Sequence, residues 1–515
     1  MLSHRIILFS VILSSVQCYQ TGNRSDMEAS SRPSFIKYEA IRSEMLARHL
    51  GRALGSDIVL NEKEEQFNSI LMDLKTDELM RGFQNPYNFT PSRHFFEVLN
   101  AMESSPLFKL MRKMPKGSTD YVVSLTRWDN LWQWGGIEDD ELPKFVFSNK
   151  KPTSIDDVEW RLVGEIRKEM GDEAYDVKIR RLFTLIVNDP LIRYSDINSV
   201  WSKFNEIFMV FGSIVTYTEV WKDYFRQALQ EIYDDGVQYL EFRGVLPETY
   251  DLEGNKYGPI ETCGMYVDVL KEFNENHPDF GGAKFIYAPI RKVDDDTFES
   301  YLAIMQKLLK TFPDFIAGFD LVGQEDRGRP LIEYAERLLK YPENIKFFFH
   351  AAETNWLGTT SDENLIDAVL LGTKRIGHGY GIVKYPNLLK VVKEKKIGIE
   401  INPISNQVLK LVDDLRNHPA TILFSDDYPV VISSDDPSFW GALPLTHDFY
   451  LAFLGIASAK QDLKCIKKLI LNSFDLSALD ERQKSRAKEI WMKKWTSFIE
   501  DALRDQKSTI LIESK

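Results

Sequence analysis

Three fragments in the C-terminal half of the chain bring together the residue types of hydrolytic zinc chemistry. They are His350-Ala351-Ala352-Glu353, Arg375-Ile376-Gly377-His378-Gly379 and Ser433-Ser434-Asp435-Asp436-Pro437. Each closes a short β-branched or aromatic run, so each sets its polar group at the C-terminal tip of an expected strand. A hydrolytic zinc site takes about three protein ligands and a water, with a separate acid or base beside them. His350 offers an imidazole to the ion and Asp435 a carboxylate. Glu353, three residues past His350, does not comfortably ligate the same ion through the same turn and is better placed to move a proton to substrate. His378 lies between two glycines, which let backbone and substrate approach closely, and suits the orienting of an activated water. Asp436 follows Asp435 directly, and two adjacent carboxylates beside a cation can divide the work of ligand and base. Asp320 and Gly323, in Gly318-Phe319-Asp320-Leu321-Val322-Gly323, are expected to line the same mouth. No histidine occurs between His94 and His277, so the ligand count stops short of a full set.

Taken singly, each fragment also fits a blander role. A strand-end histidine is often a satisfied structural one, and Asp-Asp-Pro is often a turn or an N-cap. The order of the fragments and the elements that carry them favour a site. From about residue 200, strand-like runs recur at Val237–Phe242, Lys284–Pro289, Phe315–Leu321, Lys346–Phe349, Arg375–Ile376, Ile397–Ile401 and Val430–Ser433. Helical stretches separate them, among them Phe298–Phe312, Pro330–Leu339 and Leu365–Leu371. Such alternation implies a parallel sheet with right-handed crossovers. Polar residues at most strand ends point to an α/β fold of the (β/α)8 TIM-barrel type, in which all these tips meet at one face. The eighth strand is expected immediately after Met114-Pro115-Lys116-Gly117.

Residues 34–113 read as a helical extension. Tyr38, Ile41, Met45, Leu46 and Leu50 form one stripe, a second helix starts near Asn61, and a third is expected over Phe95–Met114. These helices serve either as packing elements or as a dimerisation arm. Residues 118–195 are less regular, with a strand at Tyr121–Leu125 and a local core around Trp128, Trp132 and Trp134, and read as an insertion. At the N-terminus, His4 and Arg5 precede an apolar run from Ile6 to Val16, the pattern of a cleaved secretory signal. That run is too short to span a bilayer, and no later stretch reaches about 20 apolar residues. The sequons Asn23-Arg24-Ser25 and Asn88-Phe89-Thr90 suit glycosylation of a secreted chain. The expected segments are therefore 1–18 signal peptide, 19–113 helical region, 114–200 degenerate first strand plus insertion, and 201–505 barrel. The net charge of −13 argues against nucleic acid as a partner. With Cys18 lost at cleavage, Cys263 and Cys465 remain, either bridged or as two buried thiols.

These residues give the chain a specific resemblance. From about residue 34 to about residue 500 it resembles the secreted adenosine deaminases of the adenosine deaminase-related growth factor family. The matching stretches include Leu54–Asn61, Met114–Gly117, Trp201-Ser202-Lys203-Phe204, Gly318–Gly323, Arg375–Gly379, Asn402-Pro403-Ile404-Ser405-Asn406-Gln407-Val408-Leu409 and Ser433–Pro437. The resemblance implies Zn2+ held by His350 and Asp435, with Glu353 as the acid that protonates purine N1. It implies that His378 and Asp436 position and deprotonate the attacking water. Gly323 matches a backbone contact to the purine, and Trp356 falls where the family lines its pocket. The implied substrate is adenosine or 2′-deoxyadenosine, deaminated hydrolytically in purine metabolism. A homodimer, a cell-surface receptor and an extracellular growth-factor role are implied as well.

The departure from the family is equally specific. After Met-Pro-Lys-Gly the family continues into a strand ending in His-x-His, which supplies two further zinc ligands. Here Ser118-Thr119-Asp120-Tyr121 follows directly, as though the strand were excised. Ala352 stands where the family's His-Ala-Gly-Glu has glycine, and the cysteine pair of the family's receptor-binding insertion is absent from residues 118–200. Two ligands would leave zinc bound mainly by water, so the expectation is a weak or inactive enzyme that lacks its first barrel strand. The clean edges, with Glu353, His378, Asp435 and Asp436 intact, favour a splice form or altered reading of an active enzyme. The alternative is a non-catalytic secreted binder of adenosine or of a receptor.

Overall fold

A computed structural model describes residues 32–119, 130–137, 141–153, 158–342 and 344–513. The signal segment, Asn23, Trp128 and the expected strand at Tyr121–Leu125 lie outside these residues. The chain divides into two units, residues 1–49 and 50–515. In the first, the described residues form helix α1, Phe35–Leu50, none of whose residues is buried. The expected stripe is therefore on the surface: Tyr38, Ile41 and Met45 are all exposed.

In the second unit, helix α2 (Glu62–Gln84) begins where Asn61 caps it. The Asn61 side chain accepts from the Glu64 backbone, and the Glu64 carboxylate accepts from the Asn61 N–H, a reciprocal capping box. The single helix expected over Phe95–Met114 is two helices, α3 (Phe95–Ser104) and α4 (Pro106–Arg112). Pro106 forces Ser105 out of the helical region, and the Ser105 hydroxyl then caps α4 by accepting from Phe108 N.

Eight parallel strands build the barrel: β1 Lys116–Thr119, β2 Val237–Gly244, β3 Ala283–Tyr287, β4 Ile316–Phe319, β5 His350–Ala351, β6 Arg375–His378, β7 Gly398–Ile401 and β8 Val430–Ile432. They run as two four-stranded ladders, β1 to β4 and β5 to β8. Phe319 joins the two by bridging to Phe347. Among the described residues no ladder links β8 to β1. Helix Leu463–Asp475 contacts both strands there: Asn472 donates to Val430 O, and a side chain at Gly117 would collide with Ser473 Oγ. A larger residue there would require the Ser473 hydroxyl to turn away from Ile470 O.

The expectation of a missing first strand is corrected here. β1 is short, but it pairs parallel with β2 through Lys116↔Val237, Ser118↔Tyr239 and Thr119↔Leu240. Its ladder begins at Lys116, upstream of Ser118, where the strand was expected to be cut away. Lys116 anchors the strand, its buried ammonium donating to Asp235 O at 2.7 Å and Met114 O at 3.1 Å.

The region between β1 and β2 contains a small antiparallel sheet, with Leu131–Trp134 between Lys144–Phe147 and Arg161–Leu162. Trp134, Phe145 and Phe147 are buried in it, and Phe147 stacks on Tyr217 at 4.5 Å. Cys263 and Cys465 are both buried free thiols, not a bridge. Among the described residues no helix is long and apolar enough to cross a membrane.

Candidate functional site

The tips of β5, β6 and β8 bring Glu353, His378 and Asp435 together, with one ligand atom of each within 4.8 Å of the others. His378 Nε2 stands 3.4 Å from Glu353 Oε1 and 3.6 Å from Asp435 Oδ2. Three sharp turns make this convergence possible, because Ala352, His378 and Asp435 all adopt positive φ, at 58°, 60° and 57°. Strain of this kind in three non-glycine residues at one mouth marks it as the place where conformation serves chemistry.

The His378 ring is fixed from behind. Asn402 and Asn406 donate to its Nδ1 at 3.1 and 3.0 Å, the Asn402 amide also lies 3.2 Å from its Nε2, and Asn406 Oδ1 accepts in turn from His418 Nε2 at 2.9 Å. Burial pulls the His378 pKa down to about 4, against an opposing pull from Asp435, so the ring is neutral at neutral pH. Glu353 is shifted the other way. Its burial, followed by the charges of Asp435 and Glu325, raises the carboxyl well above the usual range, which favours a protonated acid.

His350 lies beside this cluster, its ring 5.1 Å from that of His378. Its Nδ1 pairs with Asp320 Oδ2 at 2.6 Å, and its backbone N–H donates to Asp320 Oδ1 at 2.9 Å. A carboxylate on one ring nitrogen is how metal-binding histidines are usually oriented, leaving Nε2 for an ion. Asp320, expected against substrate, is fully buried and engaged by His350 and by Arg243 Nε at 2.8 Å. Burial would raise its carboxyl, but His350 and Arg243 outweigh that and hold it low.

Behind Asp320 an alternating chain of charges crosses the barrel interior. Arg243 also pairs with Glu400 at 2.9 Å, Glu400 with Arg375 at 2.7 Å, and Arg375 with Glu241 at 2.7 Å. Tyr239 OH and Ala478 N donate to Glu241. Burial acts against the Glu400 charge, and the two arginines overcome it, so its carboxyl stays far below the usual range.

The other expected site residues are placed differently. Gly323 is partly buried, with φ +103°, a conformation that favours glycine. Asp436 is half-buried at the start of the turn Pro437–Phe439. Trp356 is 61% exposed, so in this conformation it does not close over a buried pocket. Among the described residues β1 brings no histidine to the mouth. The donor set fits a cation in that His350 is oriented as a ligand and three further donors converge beside it. A groove of about 780 Å³ lies elsewhere, among Ile70, Leu110, Lys113, Gly236 and Phe498. None of the strand-tip groups lines it, so the chemistry is assigned to the tips and not to the groove.

Arg243, Glu400, Asn402 and Asn406 are not singled out by the sequence motifs. Arg243 follows the same strand-tip rule as His350, and both asparagines sit inside the Asn402–Leu409 stretch. Glu325, a buried carboxylate behind Glu353, has no signal beyond an acidic turn.

The family described as "Adenosine deaminase" matches residues 184–492, and that described as "Adenosine/AMP deaminase N-terminal" matches residues 9–111. The chain is 50% identical over 475 residues to an adenosine deaminase of Aedes albopictus, covering 90% of this chain and 88% of the relative. It is 37% identical over 483 residues to adenosine deaminase 2 of Homo sapiens, covering 91% and 94%. An amidohydrolase of Burkhoderia ambifaria, solved with bound Zn, has the same fold at TM-score 0.53 and 17% identity, covering 78% of this chain and 95% of its own.

Proposed function

The chain belongs to the adenosine deaminase family, and from that premise we propose that it is a secreted deaminase of the growth-factor type, acting on adenosine or 2′-deoxyadenosine with its hydrolytic step impaired. The observation that carries this reading is the convergence of Glu353, His378 and Asp435 beside an oriented His350.

Each side chain then has a task set by its surroundings. Glu353, protonated by burial and like-charged neighbours, donates to purine N1, which makes C6 electron-poor. His378, neutral and anchored at Nδ1, directs its Nε2 edge to the water, and Asp436 takes the proton from that water. The water oxygen bonds to C6, Asp436 passes the proton it took to the amino group, the C6–N bond breaks and ammonia leaves, and the new C6 hydroxyl returns its proton to Glu353, giving inosine. Gly323 offers its backbone to the base. His350 and Asp435 would hold zinc, which when bound supplies Lewis-acid polarisation of the water. With no ligand from β1, that hold is weak, and weak metal binding is the proposed cause of impairment.

The segments follow the same proposal. Residues 1–18 are a signal peptide, 19–113 a dimerisation and growth-factor region, 114–200 a shortened first strand with an insertion, and 201–505 the catalytic barrel. Exposed Phe35, Ile36, Ile41 and Met45 on α1 suit a homodimer contact, and exposed Asn88 suits glycosylation. A receptor on the cell surface is the expected further partner. The test is inosine release from adenosine by the purified full chain, with and without chelator. Family-level turnover by this sequence would refute the impairment, and failure to bind any purine nucleoside would refute the reading as a whole.

A further inference from the structure

Glu325 is 2% exposed and stands directly behind Glu353. Its Oε1 accepts from Ala352 N–H at 2.9 Å and its Oε2 from Glu353 N–H at 2.6 Å. Asn364 donates a third bond to Oε1 at 2.7 Å, and Arg291 Nη1 faces the same oxygen at 3.8 Å. Two successive backbone N–H groups turned to one side by a left-handed residue form a nest, a cradle for an anion. Here the left-handed residue is Ala352 and the anion is the Glu325 carboxylate. A residue with a Cβ resists this conformation by about 1–2 kcal/mol, so something must hold Ala352 in it. Ala352 O accepting from Gly381 N–H at 3.0 Å secures one side of the residue, and Glu325 secures the other.

We propose that Glu325 is a positioning residue for the deamination site: by filling the nest under Ala352 and Glu353 it fixes where the Glu353 carboxyl meets the purine. This rests on the reading of Glu353 as the donor to purine N1. The geometry ties the two acids rigidly, since the N–H that Glu325 Oε2 accepts belongs to Glu353 itself. A neutral amide at position 325 keeps the shape but turns one N–H donor toward another, so the loop tips and the carboxyl shifts. A misplacement of about 1 Å is enough to lose a directional hydrogen bond.

The test compares binding of purine riboside with that of 1-deazapurine riboside, measured calorimetrically on the full chain. Neither ligand has a 6-amino group to lose, so turnover does not enter, and they differ only at N1. The wild type is expected to prefer purine riboside by about tenfold or more, the range for a hydrogen bond at a buried site. Glu353→Ala abolishes that preference. Glu325→Gln is expected to reduce it below about threefold while binding of the 1-deaza compound stays the same. A merely structural role for Glu325 would weaken both ligands together. If Glu325→Gln retains the full preference, the assignment of Glu325 is overturned and the role of Glu353 stands. If the wild type shows no preference, the reading of Glu353 fails and this inference falls with it. Should Glu325→Gln not fold, Asn364→Ala removes one donor from the same carboxylate and should give a smaller drop in the ratio. No drop there also overturns the assignment.

Discussion

The two halves of the barrel share out the polar residues of the site unequally. The tips of β5, β6 and β8 present His350, Glu353, His378 and Asp435, groups that can ligate, donate or accept at a reacting atom. The half from β1 to β4 presents Arg243, Asp320 and Glu325, whose charges are consumed in holding the first set in place. The proposed impairment turns on β1, whose residues Lys116–Thr119 include no histidine. Support is not confined to the half from β1 to β4, because Arg375, Glu400, Asn402 and Asn406 brace the site from β6, β7 and the stretch that follows. Without any histidine in β1, the pairing of Lys116–Thr119 with β2 still holds, and with it the scaffold that orients the other half.

The largest effect expected from this contrast concerns metal affinity. A structural zinc site with a full ligand set is worth about 10–16 kcal/mol, and losing two of four ligands removes roughly half, on the order of 10⁴- to 10⁶-fold in affinity. Inserting a His-x-His strand after Gly117 should therefore tighten zinc binding by about that factor, measured by competition with a chelator, and restore inosine formation in parallel. Restored affinity without restored turnover would mean that the tips of β5, β6 and β8 are not in catalytic register.

The next prediction separates support from chemistry. Arg243→Met leaves the buried Asp320 and Glu400 carboxylates without their shared partner, and should cost about 3–5 kcal/mol in urea unfolding. Glu353→Gln should do the reverse. It removes a carboxyl crowded by Asp435 and Glu325, so stability should hold or rise by about 1 kcal/mol while discrimination at purine N1 is altered. Equal destabilisation by both variants would erase the proposed division between the halves.

Histidines supply a smaller contrast within the C-terminal half. His418 and His447 are buried, and burial is the first cause of their pKa values falling to about 3. Above pH about 6.5 both the folded and unfolded chains hold these rings neutral. As pH falls below that, only the unfolded chain takes up protons, so stability declines toward pH 4 and is regained as pH rises. Urea midpoints measured between pH 7 and 4.5 should show this slope, and His418→Gln should flatten it while keeping a donor to Asn406. An unchanged slope would show that His418 is not buried neutral.

How far the sequence can be read follows from the same physics. The barrel is legible because strand runs and their polar tips recur, and His350 and Asp435 stand at those tips. The break at Ser105 is easily overrun because the apolar pattern of Phe95–Met114 continues through Pro106, although that proline is the signal. The shortened β1 reads as lost because ladder hydrogen bonds belong to the backbone, which side-chain motifs do not report. Asp320 reads as a mouth residue because strand-tip position does not say which way a carboxylate turns. Glu325 is invisible for another reason: its partners are main-chain N–H groups of residues 27 and 28 positions away.

Ala352 gives the smallest expected effect and the finest probe of how the halves are coupled. Ala352→Gly relieves about 1–2 kcal/mol of left-handed strain, but it loses a buried methyl worth about 0.8 kcal/mol and adds unfolded-state entropy worth about 0.4–1 kcal/mol. These terms nearly cancel, so the single variant should lie within about 1 kcal/mol of the wild type. The coupling to Glu325 does not cancel. With alanine in place, the nest must be held against strain, and Glu325→Gln gives up that hold. With glycine, the same backbone is adopted freely and the clamp has less to oppose. A double-mutant cycle should therefore show Glu325→Gln costing about 1 kcal/mol less in the Ala352→Gly background than in the native one. Additive losses would mean that Glu325 satisfies the two N–H groups without bearing on the conformation that aims Glu353.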